Sequence, residues 1–214
     1  MIRAIVSDFG GVLTTPLSRS FQRFADGSGI DLETMGQALA ALHDRDGVHP
    51  LHELECGRMT ETAFVENLRA SLSELLGRDV ELASLADTLW AGLFANDAMI
   101  AFMASLREAG YRMALLTNNV REWELRWRAL APIDDIFELV VDSAFVGVRK
   151  PDPKIYELTV TGLGVPAAEC LFVDDIEVNC DAAQAAGMSA VVFRDTEQAI
   201  AEIRAILAAD DLVV

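Results

Sequence analysis

Five short apolar runs constrain what this chain can build. They cover residues 2–7, 112–117, 139–142, 170–174 and 189–193, and each is nearly continuous in aliphatic and other apolar side chains. Runs of that length without alternation are the signature of strands buried on both faces, as in a parallel sheet covered by helices. Helical patterns fill the intervals between the later runs. Residues 97–109 put Met99, Phe102, Met103 and Leu106 on one face, with Asn96 as N-cap and Gly110 as the stop. Further helices are predicted over 120–130, 152–163, 176–186 and 196–208. The first of these carries Val120, Trp123, Trp127 and Leu130 at helical spacing. The second starts after Pro151, which favours an extended Lys150. The alternation predicts an α/β fold with a doubly wound parallel sheet.

Residues 16–94 interrupt it. They hold no strand pattern, and helices are predicted over 17–26, 31–43, 60–76 and 81–93, broken by Gly27-Ser28-Gly29, Asp46-Gly47, Cys56-Gly57 and Gly77. Phe64, Leu68, Leu72 and Leu75 form an apolar stripe suited to bundle packing. The predicted organisation is a core domain at 1–15 and 95–214, with an inserted α-helical cap domain at 16–94. Such an insert stands over the C-terminal strand ends, where open α/β sheets bind ligands, and can exclude water and choose substrates.

Composition limits the partners. A chain of 214 residues suffices for one core plus a small second domain. Against 17 Lys and Arg stand 34 Asp and Glu, a formal net charge of -17 with no basic stripe. Nucleic acid and anionic membrane surfaces are therefore not expected partners. Phosphates are still bound by acidic proteins where a metal or local cations reverse the field. Cys56, Cys170 and Cys180 show no disulfide pattern, which points to a reducing cytoplasm. No apolar run is long enough to span a membrane, and Asp8 comes too early for a signal peptide to be expected before it.

Chemistry is carried at four strand ends. Asp8 ends the first run and is followed by Phe9-Gly10-Gly11, a turn in which backbone can approach a ligand. It either only terminates a strand or serves as nucleophile or metal ligand. Thr117-Asn118-Asn119 follows the second run, where a hydroxyl and turn amides can hold phosphate oxygens or cap the next helix. Lys150, between Arg149 and Pro151, either aims its ammonium into a site or is a solvated loop cation. Asp174-Asp175 ends the fourth run. Adjacent carboxylates there are unfavourable without a cation, and Mg²⁺ is a hard cation that takes carboxylates, carbonyls and water; the alternative is helix capping by one Asp.

Together the four ends resemble the haloacid dehalogenase-like (HAD) hydrolase superfamily over the whole chain. The motifs are Asp8-Phe9-Gly10-Gly11-Val12-Leu13-Thr14, Leu115-Leu116-Thr117-Asn118, Lys150 within Arg149-Lys150-Pro151-Asp152, and Phe172-Val173-Asp174-Asp175-Ile176-Glu177-Val178-Asn179. Residues 55–64 also look like a cap segment of this group. The resemblance implies a Rossmann-like HAD core with an α-helical C1 cap. It implies a Mg²⁺-dependent phosphatase acting on a small phosphorylated metabolite through an aspartyl-phosphate on Asp8. Thr117 and Asn118 would bind the phosphoryl group, Lys150 would neutralise charge, and Asp8, the Gly10 carbonyl, Asp175 and Asp174 would hold Mg²⁺. Asn179 would support that loop.

One position departs from the family. Its phosphatases usually carry Asp two places after the nucleophile as general acid and base; here Gly10 stands there. Such help is typically worth about 10²–10⁴ in rate. The Asp-Phe-Gly-Gly-Val-Leu form resembles the branch with epoxide-hydrolase N-terminal phosphatase domains and sugar-1-phosphatases. Two other functions are compatible with the chain. A haloacid dehalogenase would use the same Asp8 on carbon, but needs no metal and keeps no acidic pair in its fourth motif. A binding or regulatory protein would keep the fold without turnover. His43, His49 and His52 fall in the helical insert, where a solvated face is expected. Substrate identity and oligomeric state are not encoded in any of these motifs.

Overall fold

The computed structural model of the protein describes residues 1–82 and 85–211. One five-stranded parallel sheet forms from β1 (Ala4–Ser7), β2 (Arg112–Thr117), β3 (Leu139–Asp142), β4 (Cys170–Asp174) and β5 (Ser189–Val192), in the order β3-β2-β1-β4-β5. Every predicted strand is present, the first and last shortened at their ends. Alternate residues of the central strands enter different cores because successive side chains point to opposite faces. Ile5, Met113, Leu115, Leu171 and Val173 join one apolar cluster. Ala4, Val6, Ala114, Leu116, Cys170 and Phe172 join another. Both faces being dry explains why the strands are written as continuous apolar runs.

Twelve helices are described: α1 (Leu17–Ser28), α2 (Leu32–Asp46), α3 (Pro50–Glu55), α4 (Glu61–Leu76), α5 (Leu85–Ala91), α6 (Asp97–Glu108), α7 (Glu124–Arg128), α8 (Ile133–Ile136), α9 (Ser143–Val146), α10 (Pro153–Leu163), α11 (Glu177–Ala185) and α12 (Thr196–Asp211). Helices α6 and α12 cover the first cluster through Met99, Phe102, Ile203 and Leu207. Helices α10 and α11 cover the second through Ile155, Tyr156, Leu163 and Cys180. Asn96 caps α6 as expected, its side chain accepting from the Met99 amide.

Several helices differ from the prediction. The segment 120–130 splits into a 3₁₀ turn at Arg121–Trp123 and the short α7, with Val120 extended. Val120 packs with the inserted helices while Trp127 packs under the sheet, and one straight helix cannot serve both clusters. Helix α3 occupies a stretch taken as a break, started by Pro50 at its first turn. The short helices α8 and α9 were also unanticipated. Of the helix predicted over 81–93, Leu85–Ala91 is helical and residues 83 and 84 lie outside the described residues.

Helices α1 to α5 build a third apolar cluster from Phe24, Met35, Leu54, Phe64, Leu68 and Leu72, with Val120 joining from beyond β2. Leu75 of the predicted stripe is exposed at the last turn of α4. The predicted breaks at Gly29, Gly47 and Gly77 are left-handed C-caps, a conformation that glycine adopts without steric cost.

Candidate active site

The chain runs from β1 outward to β2 and β3 on one side, then crosses back to β4 beside β1 and outward to β5 on the other. Ligands of open α/β sheets bind outside the carboxyl ends of the strands at such a reversal. Ser7 is in register with Val173, so Asp8 follows β1 directly beside Asp174, and the Asp8 amide donates to the Val173 carbonyl at 2.8 Å. Thr117 ends β2 on the other side of β1 and is buried.

Lys150 reaches this point from the loop after α9 and is 2% exposed. An ammonium has three protons, and all three have partners. Nζ donates to Asp8 Oδ1 at 2.6 Å, to Asp174 Oδ2 at 2.6 Å and to the Leu116 carbonyl at 2.9 Å. Burial alone would lower its pKa, but Asp8 and Asp174 outweigh that and hold it above the ordinary value. Asn118 fixes the backbone: Lys150 N donates to Asn118 Oδ1 at 2.8 Å, and Asn118 Nδ2 donates to Lys150 O at 3.0 Å. The Asn118 side chain is thereby committed to the lysine backbone.

Three carboxylates share this one ammonium. Oxygens of Asp8, Asp174 and Asp175 lie within 4.8 Å of one another. Asp174 has both oxygens engaged, Oδ2 by Lys150 and Oδ1 by Ile176 N at 2.8 Å and Asn179 Nδ2 at 3.0 Å. Burial pushes the Asp8 carboxyl up to about 7; Lys150 opposes this, and Asp174 and Asp175 reinforce it. Burial, then Asp174, pushes Asp175 up to about 6. Such a surplus of hard oxygen donors and negative charge fits a small divalent cation. Gly11 sits at φ 85°, and a side chain there would collide with the Asp175 carboxylate, so this glycine gives the acidic loop its room. Gly10 has no positive φ.

A cavity of about 260 Å³ opens beside Gly10 and Thr117. Its walls come from the inserted helices, through Met35, Leu51, Phe64 and Leu68, and from Phe9, Asn118 and Trp123 of the core. Polar contacts tie the end of α3 and the turn after it to the core. Arg149 Nε donates to Glu55 Oε2 at 2.5 Å, the Ser143 hydroxyl to the Glu55 carbonyl at 2.6 Å, and Arg58 to the Gly147 carbonyl at 2.9 Å. A side chain at Gly57 would strike the Ala144 carbonyl. These contacts were not foreseen; Cys56-Gly57 was read as a helix break and residues 55–64 as a cap segment, neither of which names a partner in the core. His43, His49 and His52 do not line this cavity; His49 and His52 stack at 4.4 Å. The three cysteines are buried and free.

Fold and site together define a hydrolase of the Rossmann-like α/β class, with its centre at the carboxyl edge of a parallel sheet. The chain belongs to the haloacid dehalogenase-like hydrolases, whose family model matches residues 2–187. A phosphatase of Mycobacterium tuberculosis is 34% identical over 157 residues, 66% of this chain and 72% of that protein. A glyceraldehyde 3-phosphate phosphatase of Pyrococcus abyssi is 41% identical over 92 residues, 42% of this chain and 38% of that protein. The solved structure of a predicted HAD-like family hydrolase from Porphyromonas gingivalis superposes with a TM-score of 0.73 at 28% identity, covering 97% of this chain and 98% of that one. Several other curated relatives are much longer, the chain spanning 14% and 20% of two of them. Among the described residues no helix is long and apolar enough to cross a membrane.

Proposed function

We propose that this hydrolase is a Mg²⁺-dependent phosphatase of a small phosphorylated metabolite, acting through an aspartyl-phosphate on Asp8. The observation that carries the reading is Lys150 bridging Asp8 and Asp174. It turns one Asp8 oxygen toward the lysine and leaves the other to attack phosphorus. Attack breaks the bond to the leaving oxygen, and water then hydrolyses the acyl phosphate to release phosphate and free Asp8. Thr117 and the neighbouring amide would hold phosphoryl oxygens, while Lys150 offsets the charge of the nucleophile. Asp8, Asp175 and the Gly10 carbonyl would hold Mg²⁺, which supplies charge neutralisation at the phosphoryl group when bound. Asp174, with both oxygens occupied, would orient the loop more than it would ligate. Residues 16–94 would act as a cap over the core of 1–15 and 95–214, in a cytoplasmic protein. The acidic pair also speaks against the dehalogenase reading. Hydrolysis of p-nitrophenyl phosphate tests the proposal: turnover with Mg²⁺ that stops with excess chelator is expected, and turnover fully retained in chelator, or none with Mg²⁺, overturns it.

A further inference from the structure

We propose that the substrate is a phosphate monoester whose body is apolar, about nine carbon-sized groups in volume, and free of any second anionic group. The proposal rests on the phosphatase reading above.

The cavity that adjoins Gly10 and Thr117 is almost entirely hydrocarbon. Leu51, Phe64, Leu68, Leu89, Trp90 and Leu93 line it from the inserted helices and the segment that follows them. No Lys, Arg or His contributes to its lining, whereas Glu55 and Glu61 do. A sugar body would leave its hydroxyls facing apolar walls, at a desolvation cost with few partners in return. A second phosphate or a carboxylate would meet Glu61 and a Glu55 already paired with Arg149, with no cation in the lining left to receive it. At roughly 30 Å³ per water-sized group, 260 Å³ holds about nine such groups.

A second observation adds two polar donors to this wall, unpartnered like that of Trp127 in the core. Trp90 and Trp123 meet edge-on across the cavity wall, ring centres 5.7 Å apart at 83°. Both indole N–H groups are buried and have no hydrogen-bond partner among the described residues. Buried donors are ordinarily satisfied, and an oxygen or aromatic face on a bound body would satisfy these. The two rings come from the insert and from the segment after β2, so one body would touch both layers at once.

The test is a series of aryl phosphates with near-constant phenol acidity, assayed with Mg²⁺: phenyl, 4-methylphenyl, 4-ethylphenyl and 4-propylphenyl phosphate, with 4-(2-carboxyethyl)phenyl phosphate as the anionic counterpart. Each added carbon should raise kcat/KM about three- to fourfold, and the propyl ester should exceed the carboxyethyl ester by at least about tenfold. A flat series, or equal rates for the carboxyethyl ester, overturns the apolar assignment while the phosphatase reading stands. No hydrolysis of any ester overturns both. Val65→Trp, at a half-buried lining position on α4, should collapse the propyl-to-phenyl ratio toward one. Leu39→Trp, another lining position, on α2, should do the same if the first variant does not fold. An unchanged ratio in a folded variant overturns the assignment.

Discussion

Lys150 Nζ lies 2.6 Å from Asp8 Oδ1 although the two residues are 142 positions apart in the chain. The pair is buried, and the lysine spends a second proton on Asp174 and a third on the carbonyl of Leu116. A charge held on three sides cannot wander, so the lysine is a fixed counter-charge beside Asp8, the proposed nucleophile.

Replacing Asp8 by Asn should reduce turnover to below about one per cent, because an amide does not attack phosphorus. The fold should survive. Asn keeps a carbonyl oxygen for Lys150, and one of three crowded carboxylates disappears. Thermal unfolding in chelator, beside a phosphatase assay, checks both halves; a fall in Tm of many degrees would contradict this account of the charge balance.

Lys150→Met should be far worse for the fold. It leaves Asp8 and Asp174 buried without their cation, a change that costs about 3–5 kcal/mol where one partner of a buried pair is removed. Urea denaturation measures it. Lys150→Arg should not rescue activity, since a planar fork cannot reproduce the three directions of the ammonium.

Magnesium should stabilise the protein before any substrate is added. Binding to the folded state alone at about 100 times Kd contributes about 2.7 kcal/mol. Tm should therefore rise with Mg²⁺ concentration, and Asp175→Asn should remove most of that rise. An undiminished rise in the variant would place the ion elsewhere.

Gly10 leaves the position of the usual proton donor without a side chain. The leaving oxygen then departs with little assistance, so the rate should depend steeply on leaving-group pKa across a graded set of aryl phosphates, with simple alkyl phosphates slowest. Gly10→Asp should flatten that dependence, because the backbone there needs no positive φ. Equal rates across the set in the wild type, with chemistry rate-limiting, would mean that another group supplies the proton.

Asp142, paired in register with Thr117 at the neighbouring strand end, offers a test that needs no substrate. Its Oδ1 accepts from the Ala144 amide at 2.9 Å, but its Oδ2 is buried without a partner among the described residues. Burial raises the carboxyl to about 6, against the Ala144 bond and reinforced by Glu124. Between about 4 and 6 the folded state therefore holds a proton that the unfolded chain has lost, so stability falls as pH rises through that window. Asp142→Asn should stabilise the protein at pH 8 by on the order of 2 kcal/mol and confer little at pH 4. Denaturation at the two pH values decides it, and an equal effect at both would refute the assignment.

Much of the architecture was legible because its causes are local. Burial on both faces forces continuous apolar runs, so the five strands could be placed within two residues of their ends. Gly29, Gly47 and Gly77 mark helix ends through their own backbone freedom. Asp8, Thr117, Lys150 and Asp174 stood out because each follows an apolar run or precedes a proline. Where one segment answers to two distant surfaces, local pattern failed: Val120 and Trp127 share a helical spacing yet pack in different clusters, and the predicted helix between them broke.

The order of residues thus determined which side chains lie at strand ends, since strand length and periodicity are properties of a few neighbours. Tertiary structure alone decided how they are used. Strand order set Asp8 beside Asp174 and brought Lys150 between them. The Asn118 side chain was set against the lysine backbone, and Glu55 was drawn onto Arg149. The apolar cavity likewise exists only where helices from one stretch of chain close over strand ends from others. These are contacts across tens to more than a hundred residues, fixed by packing and charge neutralisation in the folded state, and no local pattern encodes their geometry.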